Sequence, residues 1–179
     1  EYEYKKPEPV ERVTDTIKTE DIDKVVEMIS QAKKPFVFVG GGAVISGADR
    51  ELAEFVKKLH APVTDSLMGK GAFNGTDPLY MGMLGMHGTK AANFGVSECD
   101  LLVVVGARFS DRVTGNARKF ATNARIVQFD VDPAEINKNI RVEASVIGDV
   151  KEILKRVNEK LTQQKHDEWV EHVEELAKK

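Results

Sequence analysis

Two short, wholly apolar runs limit what this chain can fold into more than any other feature of its sequence. They are residues 36–39 (FVFV) and residues 101–105 (LLVVV), and neither alternates between apolar and polar positions. A strand that is apolar on both faces is typical of a parallel sheet with helices covering both sides. These runs therefore favour an α/β protein over an all-helical protein or an open antiparallel sheet.

Amphipathic stripes separate the predicted strands from one another. We expect strands at residues 36–39, 62–66, 101–105, 126–131 and 144–147, with apolar residues at helical spacing between them. Asp132-Pro133-Ala134-Glu135 has the cap, proline and acidic positions of a helix start. The order βαβα throughout predicts a three-layer, doubly wound, Rossmann-like and mostly parallel sheet of five or six strands, since parallel strands need crossover connections.

The chain divides into one expected domain and two flanking segments. Residues 1–18 are polar, contain Pro7 and Pro9, and are predicted to be an incoming linker. Residues 19–162 form the predicted domain. Residues 163–179 carry a helical stripe around Trp169 with no obvious place in the sandwich. We expect them to pack on something absent from this chain or to form a helical outgoing linker. Because the chain begins at Glu1 and ends in a helical pattern, we expect a fragment of a longer protein.

Charge and cysteine content exclude several classes of partner. The 179 residues include 26 Lys and Arg against 29 Asp and Glu, a net charge of −3 without any block of five like charges. Nucleic acid and membrane surfaces normally need clustered basic residues, so neither is expected as a partner. No apolar run approaches the length of a membrane span or forms a signal peptide. Cys99 is the single cysteine, which fits a reducing cytoplasm.

Glycine, hydroxyl or charge follows each predicted strand, where ligands bind in open α/β sheets. Gly40-Gly41-Gly42 would let a phosphate approach the backbone, although Ile45 breaks the G-x-G-x-x-G pattern. The alternative is that these glycines serve only a tight strand-to-helix turn. Arginines 108 and 112 suit a pyrophosphate, or else surface ion pairs. Asp130 or Asp149 would accept ribose or ribityl hydroxyls. Together these edges favour a dinucleotide pocket.

The segment of residues 81–88 (MGMLGMHG) is apolar and flexible, and suits contact with a flat ring. Methionines that fill gaps in the core are the open alternative. His87 has no base or nucleophile partner in the sequence, and we find no G-x-S-x-G, H-E-x-x-H or Walker motif and no metal-spaced acidic cluster. We therefore expect a domain that holds a cofactor, with no catalytic or metal-binding residue of its own.

Several blocks closely resemble the large catalytic subunit of acetolactate synthase (acetohydroxyacid synthase). They are LGMHGT at 84–89 and GARFSDRVTGN at 106–116, with further matches at 39–42, 66–71, 130–136 and 148–150. The resemblance runs in order over roughly residues 20–162. It implies a central domain that binds FAD structurally, flanked by two thiamine-diphosphate domains with Mg²⁺. It also implies condensation of two pyruvates, or of pyruvate and 2-ketobutyrate, in branched-chain amino-acid biosynthesis.

Carried over position by position, the resemblance implies a set of FAD contacts. Ser66 stands for the family's threonine, and Ser110 stands where an Asp-Asp-Arg triplet usually begins, so one flavin contact differs. Asp111 and Arg112 would lie near the substrate channel. The implied contacts are Gly40, Gly41, Gly42, Ser66, Leu67, Leu84, Gly85, Met86, His87, Gly106, Ala107, Arg108, Phe109, Ser110, Arg112, Asp130, Val131, Asp149 and Val150.

The same resemblance implies partners and leaves alternatives. Enzymes of this type work as dimers or tetramers with a regulatory subunit. Their thiamine-activating glutamate and Gly-Asp-Gly motif fall outside this chain, so we expect no carboligase activity from it alone. Glyoxylate carboligase and pyruvate oxidase, whose flavin is redox-active, have a similar middle domain. A non-catalytic nucleotide-binding or subunit-interaction module, with the Trp169 helix as its contact surface, is the other alternative.

Overall fold

Six parallel strands form one continuous sheet in the computed structural model, which describes residues 3–5 and 11–178. The strand order is β3-β2-β1-β4-β5-β6, and every neighbouring pair is parallel. This confirms the α/β, doubly wound fold class. The strands are β1 (Pro35–Val39), β2 (Val63–Asp65), β3 (Tyr80–Met83), β4 (Leu101–Val105), β5 (Arg125–Asp130) and β6 (Ala144–Ile147).

Helices cover both faces of the sheet. Alternate residues of β1 show why: Val37 and Val39 join one buried cluster, while Phe36 and Phe38 join the other. The first cluster includes side chains of α1, α3 and α6, and the second includes side chains of α4 and α7. The helices are α1 (Thr19–Gln31), α2 (Gly41–Ser46), α3 (Asp49–Leu59), α4 (Lys90–Glu98), α5 (Asp111–Thr114), α6 (Val150–Lys160) and α7 (Asp167–Lys178).

The third strand of the sheet was not predicted, and helices do not alternate with strands throughout. β3 lies at the edge of the sheet, inside the segment that we interpreted as a flexible apolar stretch. Between β2 and β3 the chain forms only a 3-10 turn at Leu67–Gly69, and between β5 and β6 only one at Pro133–Glu135. The expectation of strict βαβα order is therefore wrong at these two connections.

The predicted helix start at Asp132 is correct as a cap and wrong as a helix. The Asp132 carboxylate accepts a hydrogen bond from the Ala134 amide at 2.9 Å, as a helix-capping residue would. The turn ends at Glu135, and Asn137 then adopts a left-handed φ of 60°. Its side-chain oxygen accepts from the Val142 amide at 2.8 Å, which directs the chain towards β6.

The C-terminal helix has a place in the sandwich, contrary to our expectation. Trp169 and Val173 of α7 are buried in the second cluster, where α7 packs on α4. The Trp169 indole Nε1 donates a hydrogen bond to the Pro35 carbonyl at 2.9 Å. Gly95 lets α4 pack closely on β1 and α7, because a Cβ there would lie 2.4 Å from the Phe36 ring and 3.2 Å from the Val173 Cγ1. No helix in the described part of the chain is long and apolar enough to cross a membrane.

Candidate functional site

Because all strands are parallel, their carboxyl ends lie at one edge of the sheet. The direction of the strand order reverses between β1 and β4, and this is the crevice where doubly wound sheets bind ligands. Val39 and Val105, the last residues of these two strands, are register partners. The segments that follow them, residues 40–42 and 106–110, therefore begin side by side.

Glycines let these two segments touch backbone to backbone. The Gly40 amide donates to the Val105 carbonyl and the Gly42 amide to the Gly106 carbonyl, both at 2.9 Å. A Cβ on Gly40 would lie 2.3 Å from the Gly106 oxygen, and one on Gly42 would lie 2.8 Å from the Gly106 Cα. The tight strand-to-helix turn therefore accounts for Gly40 and Gly42. It does not account for Gly41, where an added Cβ would lie 3.1 Å from the Met68 Cβ.

The segment after β4 carries free donors. The backbone amides of residues 107–110 form no hydrogen bond with any described residue. Side chains alternate along it, with Ala107 and Phe109 buried and Arg108 and Ser110 exposed. Within residues 3–5 and 11–178, neither the Arg108 nor the Arg112 guanidinium forms an ion pair or hydrogen bond. The alternative of surface ion pairs is thus not found for these two arginines. Amide donors and the exposed Arg108 lie on the segment that follows β4, and Arg112 lies in the short helix after it.

Apolar side chains stand exposed beside these donors. Leu67 and Met68 of the turn after β2 are 70% and 74% exposed, and Met86, after β3, is 71% exposed. Val131, after β5, is half exposed. Met81 is buried in the second cluster, so the reading as core methionine holds for Met81 but not for Met68 or Met86. An aromatic ring that enters this edge would cover apolar surface that water otherwise contacts.

The remaining predicted contacts differ in how far their side chains can reach a ligand. Buried apolar side chains can act only through their backbone or by packing. Gly40, Leu84, Ala107, Phe109, Asp130 and Val150 are buried; Gly41, Gly42, Ser66, Gly85, Gly106 and Asp149 are half-buried; Leu67, Met86, His87, Arg108, Ser110, Arg112 and Val131 are exposed.

Asp130 lies at the end of β5 with an uncommon carboxylate. The residue is 7% exposed, and its Oδ1 accepts from the Asp132 amide at 3.0 Å. Gln128, fully buried two residues earlier, contacts Oδ2 at 3.5 Å through Nε2, while its own Oε1 has no hydrogen-bond partner among the described residues. Burial raises the pKa of Asp130 above its ordinary value of 3.8. A carboxylate with lone pairs left over suits the acceptance of ligand hydroxyls.

Replacing Asp130 with asparagine is expected to stabilise the chain at neutral pH. A carboxyl whose pKa is raised by folding stabilises the folded state below pH 3.8, and loses that contribution as pH rises through the raised value. Asparagine cannot ionise and still accepts from the Asp132 amide. The advantage of Asp130→Asn over the unaltered chain should therefore grow with pH. Urea denaturation between about pH 4 and pH 8 measures it, and a difference independent of pH would contradict the prediction.

Asp149 is already engaged by other residues of the chain. Its Oδ1 accepts from the Glu152 amide at 3.1 Å as the cap of α6, and it pairs with the Arg12 guanidinium at 2.8 Å. The same Arg12 Nη1 donates to the Ser46 carbonyl at the end of α2 at 2.9 Å. These bonds reduce the capacity of the Asp149 carboxylate to accept ligand hydroxyls, so Asp130 is the better candidate. Arg12 was not singled out from the sequence, because a pair 137 residues apart leaves no local pattern.

Thr16 and Ile17, which precede α1, contact the domain near the end of β6. Ile17 is buried and packs where Gly148 has no side chain, since a Cβ there would lie 2.4 Å from the Ile17 Cγ1. The Thr16 hydroxyl donates to the Ile147 carbonyl at 2.7 Å. The rest of the predicted incoming linker, residues 1–2 and 6–10, lies outside the described residues.

The described residues contain no group of three or more His, Cys, Asp or Glu side chains arranged to hold a metal ion. The site is thus made of glycines, free amides, two unpaired arginines, exposed apolar side chains and one buried carboxylate. Groups of these kinds can bind a nucleotide with an attached flat ring.

Comparison with known proteins identifies the family of the chain. Residues 22–157 match the family described as "Thiamine pyrophosphate enzyme, central domain", and the chain belongs to this family. Within it, the chain is homologous to acetolactate synthase large subunits. It is 45% identical over 169 residues to the probable large subunit of Methanococcus aeolicus, covering 88% of this chain and 28% of that relative. It is 53% identical over 136 residues to the large subunit of Cyanidium caldarium, covering 76% and 23%. The chain thus spans about a quarter of their length.

Proposed function

We propose that this chain is the FAD-binding central domain of an acetolactate synthase large subunit. The observation that carries the proposal is the crevice between β1 and β4, where the free amides of residues 107–110 and the unpaired Arg108 follow β4 and the unpaired Arg112 lies in the next helix. Homology to large subunits over most of the chain supports the same assignment.

Each part of the edge fits one part of a flavin dinucleotide. The amides of residues 107–110 and the two guanidiniums would bind the pyrophosphate, since both are donors suited to phosphate oxygens. Leu67, Met68 and Met86 would pack on the isoalloxazine ring, and Asp130 would accept hydroxyls of the adenosine ribose. FAD would serve here as a structural group, because joining two keto acids involves no net redox change.

The activity of the whole enzyme follows only by homology. We infer that thiamine diphosphate and Mg²⁺ are bound by flanking domains, and that those domains condense two pyruvates, or pyruvate with 2-ketobutyrate. Dimers or tetramers with a regulatory subunit belong to the same proposal. The chain by itself should not form acetolactate, since its site offers binding groups and no catalytic or metal-binding cluster among the described residues.

Calorimetric titration of the chain with FAD tests the proposal, with FMN and NAD as controls. We expect FAD to bind, and FMN and NAD to bind at least about tenfold more weakly, since neither offers both the adenosine and the flavin ring. Arg108→Ala and Arg112→Ala should each weaken FAD binding by about tenfold, the contribution of a hydrogen bond to a charged group.

Arg125→Ala is the matched control for these variants. Arg125 is the first residue of β5 and so lies at the amino-terminal ends of the strands, away from the site. It pairs with Glu143 at 2.8 Å. Its loss should leave FAD affinity unchanged. No binding of FAD by the unaltered chain would favour the alternative of an interaction module without a cofactor. Equal effects of Arg108→Ala and Arg125→Ala would contradict the placement of the pyrophosphate.

A further inference from the structure

A buried carboxylate lies immediately before the turn that carries Leu67 and Met68. Asp65, the last residue of β2, is only 4% exposed. The Tyr80 hydroxyl donates to its Oδ2 at 2.8 Å. The Lys70 ammonium lies 3.1 Å from the Tyr80 oxygen and 3.5 Å from the Asp65 Oδ1. A buried carboxylate is tolerated only when donors of this kind satisfy it.

The three residues of this cluster come from three different parts of the fold. Asp65 ends β2, Tyr80 begins β3, and Lys70 directly follows the 3-10 turn at Leu67–Gly69. The cluster therefore ties both ends of the turn, residues 65 and 70, to the start of the edge strand. Among the described residues, the Lys70 side chain forms its hydrogen bonds with Asp65 and Tyr80.

The middle of the turn has contacts of its own in addition to the cluster at its two ends. The Ser66 hydroxyl accepts from the Gly69 amide at 3.1 Å. Gly69 itself is pressed against β1, since a Cβ there would lie 2.4 Å from the Val39 carbonyl oxygen. The ends of the turn and Gly69 thus contact the rest of the domain, while the side chains of Leu67 and Met68 are exposed.

We propose that Asp65, Lys70 and Tyr80 are positioning residues that fix the Leu67–Gly69 turn so that Leu67 and Met68 meet the flat ring of the bound ligand. This inference rests on the proposed function and identifies residues that act on the ligand through others. Both oxygens of the Asp65 carboxylate already face Tyr80 or Lys70, so its effect passes through the turn.

The protonation states of Lys70 and Tyr80 allow the cluster to keep its hydrogen bonds at neutral pH. Burial raises the pKa of Tyr80, and the hydrogen bond with Tyr80 raises the pKa of Lys70. Both groups keep their protons at neutral pH. The chain of hydrogen bonds from Lys70 through Tyr80 to Asp65 therefore persists across the physiological range.

Three variants of the full 179-residue chain test the proposal. Lys70→Met removes the charge from a side chain that is about half exposed, so the fold is not at risk. Tyr80→Phe removes only the hydroxyl, and Asp65→Asn removes the charge of the carboxylate. Lys70→Arg restores a cation and should restore the behaviour of the unaltered chain. Glu143→Gln, which breaks the exposed ion pair with Arg125 at the other edge of the sheet, is the control.

Two measurements separate this proposal from the proposed function. The first is FAD affinity together with the visible circular dichroism of the bound flavin, which reports the surroundings of the ring. Lys70→Met and Asp65→Asn should weaken binding by about fivefold or more and alter the dichroism, a coupling of ordinary size. The second is hydrogen exchange at the Gly69 amide, which needs no ligand and should become faster in the same variants.

Each outcome decides something. Faster exchange with weaker FAD binding and an altered flavin spectrum in Lys70→Met, reversed in Lys70→Arg, supports the proposal. Faster exchange with unchanged FAD affinity and spectrum overturns the positioning role. An unchanged exchange rate at the Gly69 amide would show that the cluster does not fix the turn. Failure of the unaltered chain to bind FAD defeats the proposed function, while the exchange result still decides whether the cluster fixes the turn.

Discussion

Replacing Gly40 with alanine is expected to lower the free energy of unfolding by about 3 kcal/mol or more, the upper range for overpacking. The φ of Gly40 is −118°, which any residue adopts, so backbone strain is not the cause. The added Cβ would lie 2.3 Å from the Gly106 oxygen and 2.4 Å from the Ala107 Cα. Both are backbone atoms of the segment that follows β4, so they cannot rotate away as a side chain could. The variant must therefore separate the two segments that form the crevice.

Gly47→Ala is the matched control, because it has strain without a clash. Gly47 has a left-handed φ of 62° and nothing within 4 Å of the position of a Cβ. Its replacement should cost about 1 kcal/mol, the usual strain for a non-glycine residue in that conformation. Urea denaturation of both variants, with an unchanged slope, gives the comparison. Equal losses would show that Gly40 is not required for close approach.

The sequence predicts the centre of the sheet better than its edge. β1 and β4 are flanked by strands on both sides and covered by helices on both faces, so their wholly apolar runs reveal them. β3 is an edge strand of four residues that includes Gly82 at a φ of 86°. Glycine and methionine are not strand formers. Its pairing with β2 is a tertiary effect that no local pattern announces.

The same limit explains the prediction made for residues 132–135. Asp132 caps the following turn as its spacing indicates. A cap determines how a helix begins but not how long it continues. After Glu135 the short path from β5 to β6 takes the chain away from helical conformation at Asn137.

Part of the candidate site could be predicted because parallel strands bring their carboxyl ends to one edge. That rule places residues 40–42, 66–67, 106–110 and 130 together without further information. It does not reveal which of these groups the protein itself occupies. Gly40 and Gly42 contact Gly106, and Asp149 binds Arg12 across 137 residues of sequence. Satisfaction of polar groups by distant partners has no signature in the sequence.

The apolar stripe of α7 illustrates what an amphipathic pattern can and cannot show. The stripe correctly indicates that one face of the helix is buried. It does not say against what. The partner is α4, where the absence of a side chain at Gly95 leaves room for the Phe36 ring of β1 and for Val173 of α7.

Replacing Trp169 with alanine is expected to lower the free energy of unfolding by about 3–5 kcal/mol, the cost of removing a large buried aromatic side chain. The residue is 5% exposed and lies in the second cluster with Phe36 and Val173. Trp169→Phe keeps most of the packing and loses the hydrogen bond to the Pro35 carbonyl. It should therefore cost about 1 kcal/mol from that bond, plus a smaller packing loss.

Phe94→Ala on the neighbouring helix is the control, because Phe94 is 54% exposed and should change stability by no more than about 0.5 kcal/mol. Trp169 is the only tryptophan of the chain, so its fluorescence reports this helix alone. Its emission should be that of a buried indole and should shift to longer wavelength in the same denaturant transition that unfolds the sheet. An outgoing linker would behave differently: its emission would be that of an exposed indole, and Trp169→Ala would leave the denaturation midpoint of the domain unchanged. Coincident transitions and a large loss of stability would establish α7 as part of the folded domain, because only a helix that shares the core can unfold together with it.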